Sequence, residues 1–310
     1  MDFKQFNYEF QMRLLELGKK LDGEIRFDEV LKNNSQLHGI IFIPKDSNVG
    51  IQMYVEDSYR AYQNGMAINQ IAENTIATFT DSEIKRNMPV DAERFFVQEN
   101  IVPALISREG NERMLREIPH VPFEDLEIIF KFAVPNGMAT VNNVYLENLG
   151  LNEKEFMSMI MENPAYKENI TIAGMSQVIA ECSPGRSEIL PLEEEKMIVI
   201  SNKSNFYGAG SILNGDAMQK ISDILGDDIY ILPSSIHECI AVPKDHMSLQ
   251  ELRKMVREIN ESIVDPVERL SNQVYQFDPV AKKLSIAVDS LDKDYSKTNL
   301  QNQRWDAQSR

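Results

Sequence analysis

Cysteine is nearly absent from this 310-residue chain: Cys182 and Cys239 are the only two. They have neither the paired spacing of a zinc site nor the density of a disulfide scaffold, so reduced thiols and a cytoplasmic setting are expected. No apolar run approaches the length needed to cross a bilayer. The opening Met1-Asp-Phe-Lys-Gln-Phe6 has no basic stretch followed by an apolar one, so neither a secretory signal nor a membrane partner is expected. Without such a signal, Asn33-Asn-Ser35 and Asn169-Ile-Thr171 match the glycosylation pattern only incidentally.

Positive charge is scarce as well. Lys and Arg number 32 against 48 Asp and Glu, a formal net charge of -16. Nucleic acid and anionic membranes bind by having their charge neutralised, so both are poor partners for this chain. Only four histidines occur, none in paired-ligand spacing. His237 with Cys239 could supply at most two ligands from one strand, and Asp-rich calcium loops are lacking, so no metal is expected. Gly208-Ala-Gly210 has Leu213 where a third glycine would stand, and no Gly-Lys-Ser or Gly-Lys-Thr occurs, so no nucleotide cofactor is expected either.

What is present reads as a globular protein, with 43% apolar residues to fill a core. Phe3, Phe6, Phe10, Leu14, Leu17 and Leu21 recur at spacings of three and four, which predicts an amphipathic helix ended by Asp22-Gly23. Strands are expected at Ile25–Leu31, His38–Ile43 and Gly50–Val55 as an antiparallel meander turning at Asn33-Asn34. Ile68, Ile71, Ala72, Ile76 and Phe79 then supply the inward face of a helix. From Arg94 to Ile106 runs an apolar segment broken by Pro103. Leu126–Val134 and Met138–Val144 pair across Pro135-Asn-Gly137. Asn152 with Glu155 forms a capping box for a helix that Pro164 stops, and another helix is expected between Ile172 and Glu181.

Turn formers at Ser183-Pro-Gly-Arg-Ser187 and the acidic run Glu193–Glu195 mark the expected internal boundary. Beyond it, Met197–Ser201 and Tyr207–Leu213 are expected to pair. A helix from Asp216 to Leu225, strands Ile229–Leu232 and His237–Val242, and a helix capped by Ser248 and Glu251 follow. The fold class is therefore α+β, with antiparallel sheets and packed helices in two associated lobes. These are an N-terminal lobe over 1–182, a ββαββα lobe over 196–288, and a polar, flexible tail over 289–310 that contains the lone Trp305.

Candidate chemistry concentrates in Tyr230–Asp245. Ser235 and His237 fall on one face of a regular strand while Glu238 points away, so a hydrolase would have to use Ser235 as nucleophile and His237 as base, with a third member from elsewhere, such as Asp125. The competing reading has these groups bonding to backbone where the chain bends after Pro233. An echo in Ser35–Asp46 repeats Ser, His, Ile, Pro, Lys and Asp in register with Ser234–Asp245, which favours a shared strand entry and Pro-Lys-Asp exit over a site. Ser234 and Glu238, with Asn202 and Asn205 of the polar turn Asn202-Lys-Ser-Asn205, are candidate binding residues.

Three stretches carry a resemblance: Asn100–Leu115, Pro119–Ile128 with Phe123-x-Asp125-Leu126, and Tyr207-Gly-Ala-Gly-Ser-Ile-Leu213 leading to Leu232-Pro-Ser-Ser-Ile-His-Glu238. On these residues the chain, up to about Tyr275, resembles domain of unknown function 5688, an uncharacterised bacterial family typical of gut anaerobes. The resemblance implies one continuous architecture and brings no reaction with it. The expectation is a cytoplasmic binding or protein-interaction module without a catalytic cofactor, acting on an unknown protein or small molecule. The alternatives are the Ser235 and His237 hydrolase and a partner-binding antagonist linked to mobile elements, whose acidic surface would meet a basic target.

Overall fold

The computed structural model describes residues 1–45, 47, 50–81, 95–134, 137–183, 188–226 and 228–288. Asp46, the expected turn at Pro135-Asn136, most of Ser183–Ser187 and the tail 289–310 lie outside the described residues.

The chain opens on helix α1, Phe3–Gly18, capped by Asp2, whose carboxylate accepts from the Gln5 N–H. Phe6, Phe10 and Leu14 are fully buried, as their spacing predicts, although the helix stops before Asp22-Gly23. β1 (Gly23–Lys32) and β2 (Ser35–Pro44) pair antiparallel over their whole length, from Gly23 opposite Pro44 to Lys32 opposite Ser35. Asn34 takes the left-handed φ of +58° that closes the turn between them. β3 (Ile51–Tyr54) pairs with the other edge of β2. Helices α2 (Val55–Gln63) and α3 (Ile68–Thr80) cover this sheet with α1. Their shared core holds Phe6, Phe10, Ile40, Phe42, Val55, Ile71 and Phe79. The sequence reading omits α2, because its inward stripe is Val55, Tyr59 and Tyr62, two of them amphipathic tyrosines.

A larger body follows. β4 (Ile101–Ser107), β5 (His120–Phe123), β6 (Leu126–Val134) and β7 (Gly137–Thr140) form an antiparallel sheet with β6 at its centre, and the short helix α4 (Glu112–Leu115) links β4 to β5. Pro103 sits inside β4 without breaking it. An edge strand tolerates a residue that cannot donate, and β4 pairs only with β6. Helices α5 (Asn143–Leu149), α6 (Glu153–Glu162) and α7 (Pro164–Asn169) come next, with the Asn152 and Glu155 capping box in place.

The second sheet has six strands in the order β13-β12-β10-β11-β9-β8. β8 is Ile170–Gly174, β9 Ile198–Asn202, β10 Ile229–Pro233, β11 Cys239–Pro243, β12 Tyr275–Asp278 and β13 Lys283–Ile286. Period-two alternation separates its faces. Ile198, Ile200, Ile229, Ile231, Cys239 and Ala241 turn toward the four-stranded sheet, where they meet Phe130, Phe156 of α6, and Met218 and Ile221 of α9 (Gly215–Leu225). Leu232 and Val242 turn the other way, onto Leu249, Leu252 and Val256 of α10 (Leu249–Ser262), whose N-terminus carries the Ser248 and Glu251 box. Each such fully buried Ile or Phe contributes about 1.5–3 kcal/mol. Among the described residues no helix is long and apolar enough to cross a membrane.

The α+β class, the antiparallel sheets and the packed helices stand. Several segments differ from the sequence reading. Ile170–Gly174 is a strand, with helix α8 (Met175–Cys182) only after it. The connection expected to divide 1–182 from 196–288 joins β8 to its own partner β9. Glu195 in that acidic run is buried and accepts from the Ser176 N–H and hydroxyl. Tyr207–Leu213 is no strand, since Gly208–Leu213 forms a 3-10 turn packed between β9 and β4. A Cβ at Gly208 would strike Ser201 Oγ and the His237 carbonyl, and one at Gly210 would strike the Pro103 carbonyl. That close approach explains the glycines. β12 and β13 extend the expected ββαββα order.

Candidate functional site

His237 precedes its strand. β11 begins at Cys239, and residues 234–238 form a bend stitched by local bonds. Ser235 N–H donates to the Glu238 carbonyl, and Ser235 Oγ accepts from the His237 N–H at 3.0 Å. The His237 carbonyl accepts from Ser201 Oγ at 2.8 Å, and its Nδ1 accepts from the Tyr207 N–H at 3.3 Å. Nε2 is left facing Glu268 Oε1 at 3.5 Å.

The turn after β9 brings two aromatic rings to this bend. Asn202 is buried, donates to the Phe206 carbonyl and accepts from the Ser204 N–H and hydroxyl. Asn205 and Tyr207 both adopt left-handed backbone, at φ +54° and +52°. For a tyrosine that conformation is strained, and neighbouring structure has to hold it.

The opposite wall comes from the N-terminal hairpin, whose tip is latched to residues 266–269. Asn33 Nδ2 donates to the carbonyls of Val267 and Arg269, and Asn34 Nδ2 to those of Pro266 and Arg269. Asn111 Nδ2 in turn donates to both asparagine side-chain oxygens. The Glu268 carbonyl accepts from the Ile236 N–H at 2.8 Å, so one short segment is tied to both walls.

The result is a cleft of about 610 Å³. Phe3, Leu37, Tyr54 and Tyr59 line one side, and Phe206, Tyr207, Ile236 and His237 the other. Its carboxylates are all paired: Glu56 with His38 at 2.8 Å, Asp57 with Arg60, Asp265 with Arg60 at 3.7 Å, and Glu268 with His237. Lys32 lines the cleft beside Tyr54, 5.5 Å from its ring centroid, and has no carboxylate within ion-pair distance among the described residues. Behind Tyr207 lies Lys131, 6% exposed, its Nζ 4.2 Å from the Tyr207 ring centroid and bonded to Thr140 Oγ1 at 2.9 Å. Burial, with Lys32 nearby, brings its amine down to about 7. Burial also raises the Tyr207 hydroxyl.

Comparison with known families matches residues 3–279 to a family of unknown function, DUF5688. The chain belongs to that family. Both walls of the cleft, from Phe3 to Glu268, fall within the matched span. No curated protein and no solved structure matches the chain.

The residues anticipated from sequence have different fates within this family member. Ser235 and His237 are neighbours, yet among the described residues no bond joins the serine hydroxyl to the imidazole. The expectation that His237 shares a strand face with Cys239 fails, because the bend precedes the strand. Asp125 is elsewhere, accepting from Ser271 and Tyr275. Glu238 contributes its backbone carbonyl, Asn202 and Asn205 shape the turn that presents Phe206 and Tyr207, and Ser234 is half-buried outside the cleft lining. Cys239 is fully buried, and burial pushes its thiol far up. Among the described residues no group of three His, Cys, Asp or Glu is placed to hold a metal. The echo brings its two copies to one place, since Ser35 and Leu37 line the same cleft as Ile236 and His237.

Sequence reasoning missed Lys32, Tyr54, Tyr207 and Lys131 as a group. One signal was available: Lys131 interrupts the apolar run Ile128-Ile-Phe-Lys-Phe-Ala-Val134.

Proposed function

We propose that this chain is a small-molecule binding module and that its ligand lies in the cleft between the N-terminal hairpin and the bend at residues 234–238. The carrying observation is the cleft itself. Its volume falls in the range of ligand sites, and its lining is mostly aromatic and apolar with a few placed polar groups. Phe206 supports the reading further, being 48% exposed at the cleft although the turn that holds it is tightly bonded.

A hydrolase is the weaker reading. Glu268 could orient His237, but a base also needs a nucleophile within reach, and Ser235 Oγ is turned to backbone. A basic protein partner would draw on the acidic surface of the chain, whose net charge is -16, rather than on this cleft. A cytoplasmic setting in a bacterium accords with the few cysteines and with the family resemblance.

A fragment screen by nuclear magnetic resonance tests the proposal. Bound aromatic fragments should shift amide signals at Leu37, Phe206, Tyr207, Ile236 and His237, and Phe206→Ala should weaken them at least about tenfold. Hits that map elsewhere, or that ignore Phe206→Ala, would refute it.

A further inference from the structure

Charge is unevenly placed in the cleft, with the carboxylates Glu56, Asp57, Asp265 and Glu268 set apart from the corner that holds Lys32. The four carboxylates that line the cleft face partners of their own, Glu56 and Glu268 an imidazole each and Asp57 and Asp265 the one guanidinium of Arg60. Lys32 has no such counter-charge among the described residues, and the nearest charge to its rear is a second lysine, Lys131. Two amines of one sign therefore share this corner, Lys131 over the Tyr207 ring and Lys32 over that of Tyr54, in a protein of net charge -16. The cost falls on Lys131, which burial and Lys32 disfavour as a cation, whereas Lys32 is held charged against its own burial by the Tyr54 side chain; an anion in the corner relieves Lys131. Tyr54 and Tyr207 line the same corner, and phenolic hydroxyls donate readily to oxyanions.

We propose, resting on the cleft reading, that this inner corner binds the carboxylate or phosphate monoester of a ligand whose apolar body lies against the aromatic walls. Lys32 meets the oxyanion directly. Lys131 adds its field from behind Tyr207 and acts as a positioning residue. With its amine near 7, Lys131 is about half neutral at pH 7 in the empty protein. An arriving anion favours the charged amine, so binding must take up protons.

The test is calorimetry on the full chain at pH 7 with 2-naphthoate, 2-naphthyl phosphate and neutral 2-naphthamide, each in two buffers of different ionisation enthalpy. At least one anionic probe should bind about tenfold or more tightly than the amide, and the tighter of the two identifies the oxyanion. Lys32→Met should abolish that preference and Lys32→Arg should keep most of it. Uptake of up to about half a proton should accompany anion binding and vanish in Lys131→Met. Equal affinity for acid and amide, with the cleft amides shifting for both, would overturn the anion site and leave the cleft standing. No binding of any probe would overturn both. Proton uptake that persists in Lys131→Met would remove Lys131 from the site.

Discussion

Replacing Lys131 by methionine should stabilise the protein at neutral pH, and the gain should shrink as pH rises. In the unfolded chain the amine has its ordinary value of 10.5, while in the fold it sits near 7. The folded value is the lower, so between these values the unfolded state binds more protons and stability rises with pH. At pH 7 the suppressed protonation costs about 4 kcal/mol, and at pH 9 about 2 kcal/mol, taking 1.36 kcal/mol per pKa unit. Methionine keeps the stem's apolar packing and removes that cost. It also loses the bond to Thr140, worth about 1 kcal/mol. The variant should therefore be more stable by about 3 kcal/mol at pH 7 and by about 1 kcal/mol at pH 9. Urea unfolding of both proteins at pH 7, 8 and 9, followed by circular dichroism, measures the gap. Other titrating groups, the buried Cys239 thiol among them, are common to both proteins and drop out of the difference. A gap that is constant with pH, or a variant less stable at pH 7, would refute the reasoning.

Asn33→Ala removes two donations to the 267 and 269 carbonyls and one of the acceptors of the Asn111 amide, which keeps Asn34 and Ser107, so it should cost about 1–3 kcal/mol in thermal unfolding and weaken cleft ligands with it. Gly210→Ala forces a Cβ onto the Pro103 carbonyl and should cost about 1–3 kcal/mol in denaturant unfolding, whereas the exposed Gly65→Ala, at φ +96° with open space around it, should cost only its backbone strain of about 1–2 kcal/mol. Ser248→Ala takes away the cap of α10 and should lower stability by about 1 kcal/mol without changing the affinity of any cleft ligand, a pair of readouts that separates a cap from a site.

The parts legible in the sequence are those where one local rule acts alone. The Phe6, Phe10 and Leu14 stripe, both capping boxes and the β1–β2 turn each depend on a few adjacent residues, and each sits where its pattern puts it. Tyr207–Leu213 misled because an apolar run with small residues suits a strand, and only the crowding of Gly208 and Gly210 against β9 and β4 decides for a 3-10 turn. The site was harder still. His237 and Ser235 were visible as chemistry-bearing residues, but their roles turn on the bend at residues 234–238 that precedes β11. Lys32 and Lys131 are distant in sequence and come together only in the corner formed by Tyr54 and Tyr207, which no periodicity reports.

The order of strands in the larger sheet bears on how the chain reaches its native state. β10 lies between β11, which follows it closely, and β12, which arrives more than forty residues later. The core of residues 3–79 is built from near neighbours and can condense as soon as those residues are available. The core that runs from Ile101 to Leu284 cannot close until β12 and β13 exist, so one edge of β10 waits unpaired while the residues between Pro233 and Tyr275 are made. High separation of contacts slows folding and leaves strand edges open to wrong partners. On a ribosome, then, the N-terminal unit should become protease-resistant early, while the six-stranded sheet gains protection late and in one step.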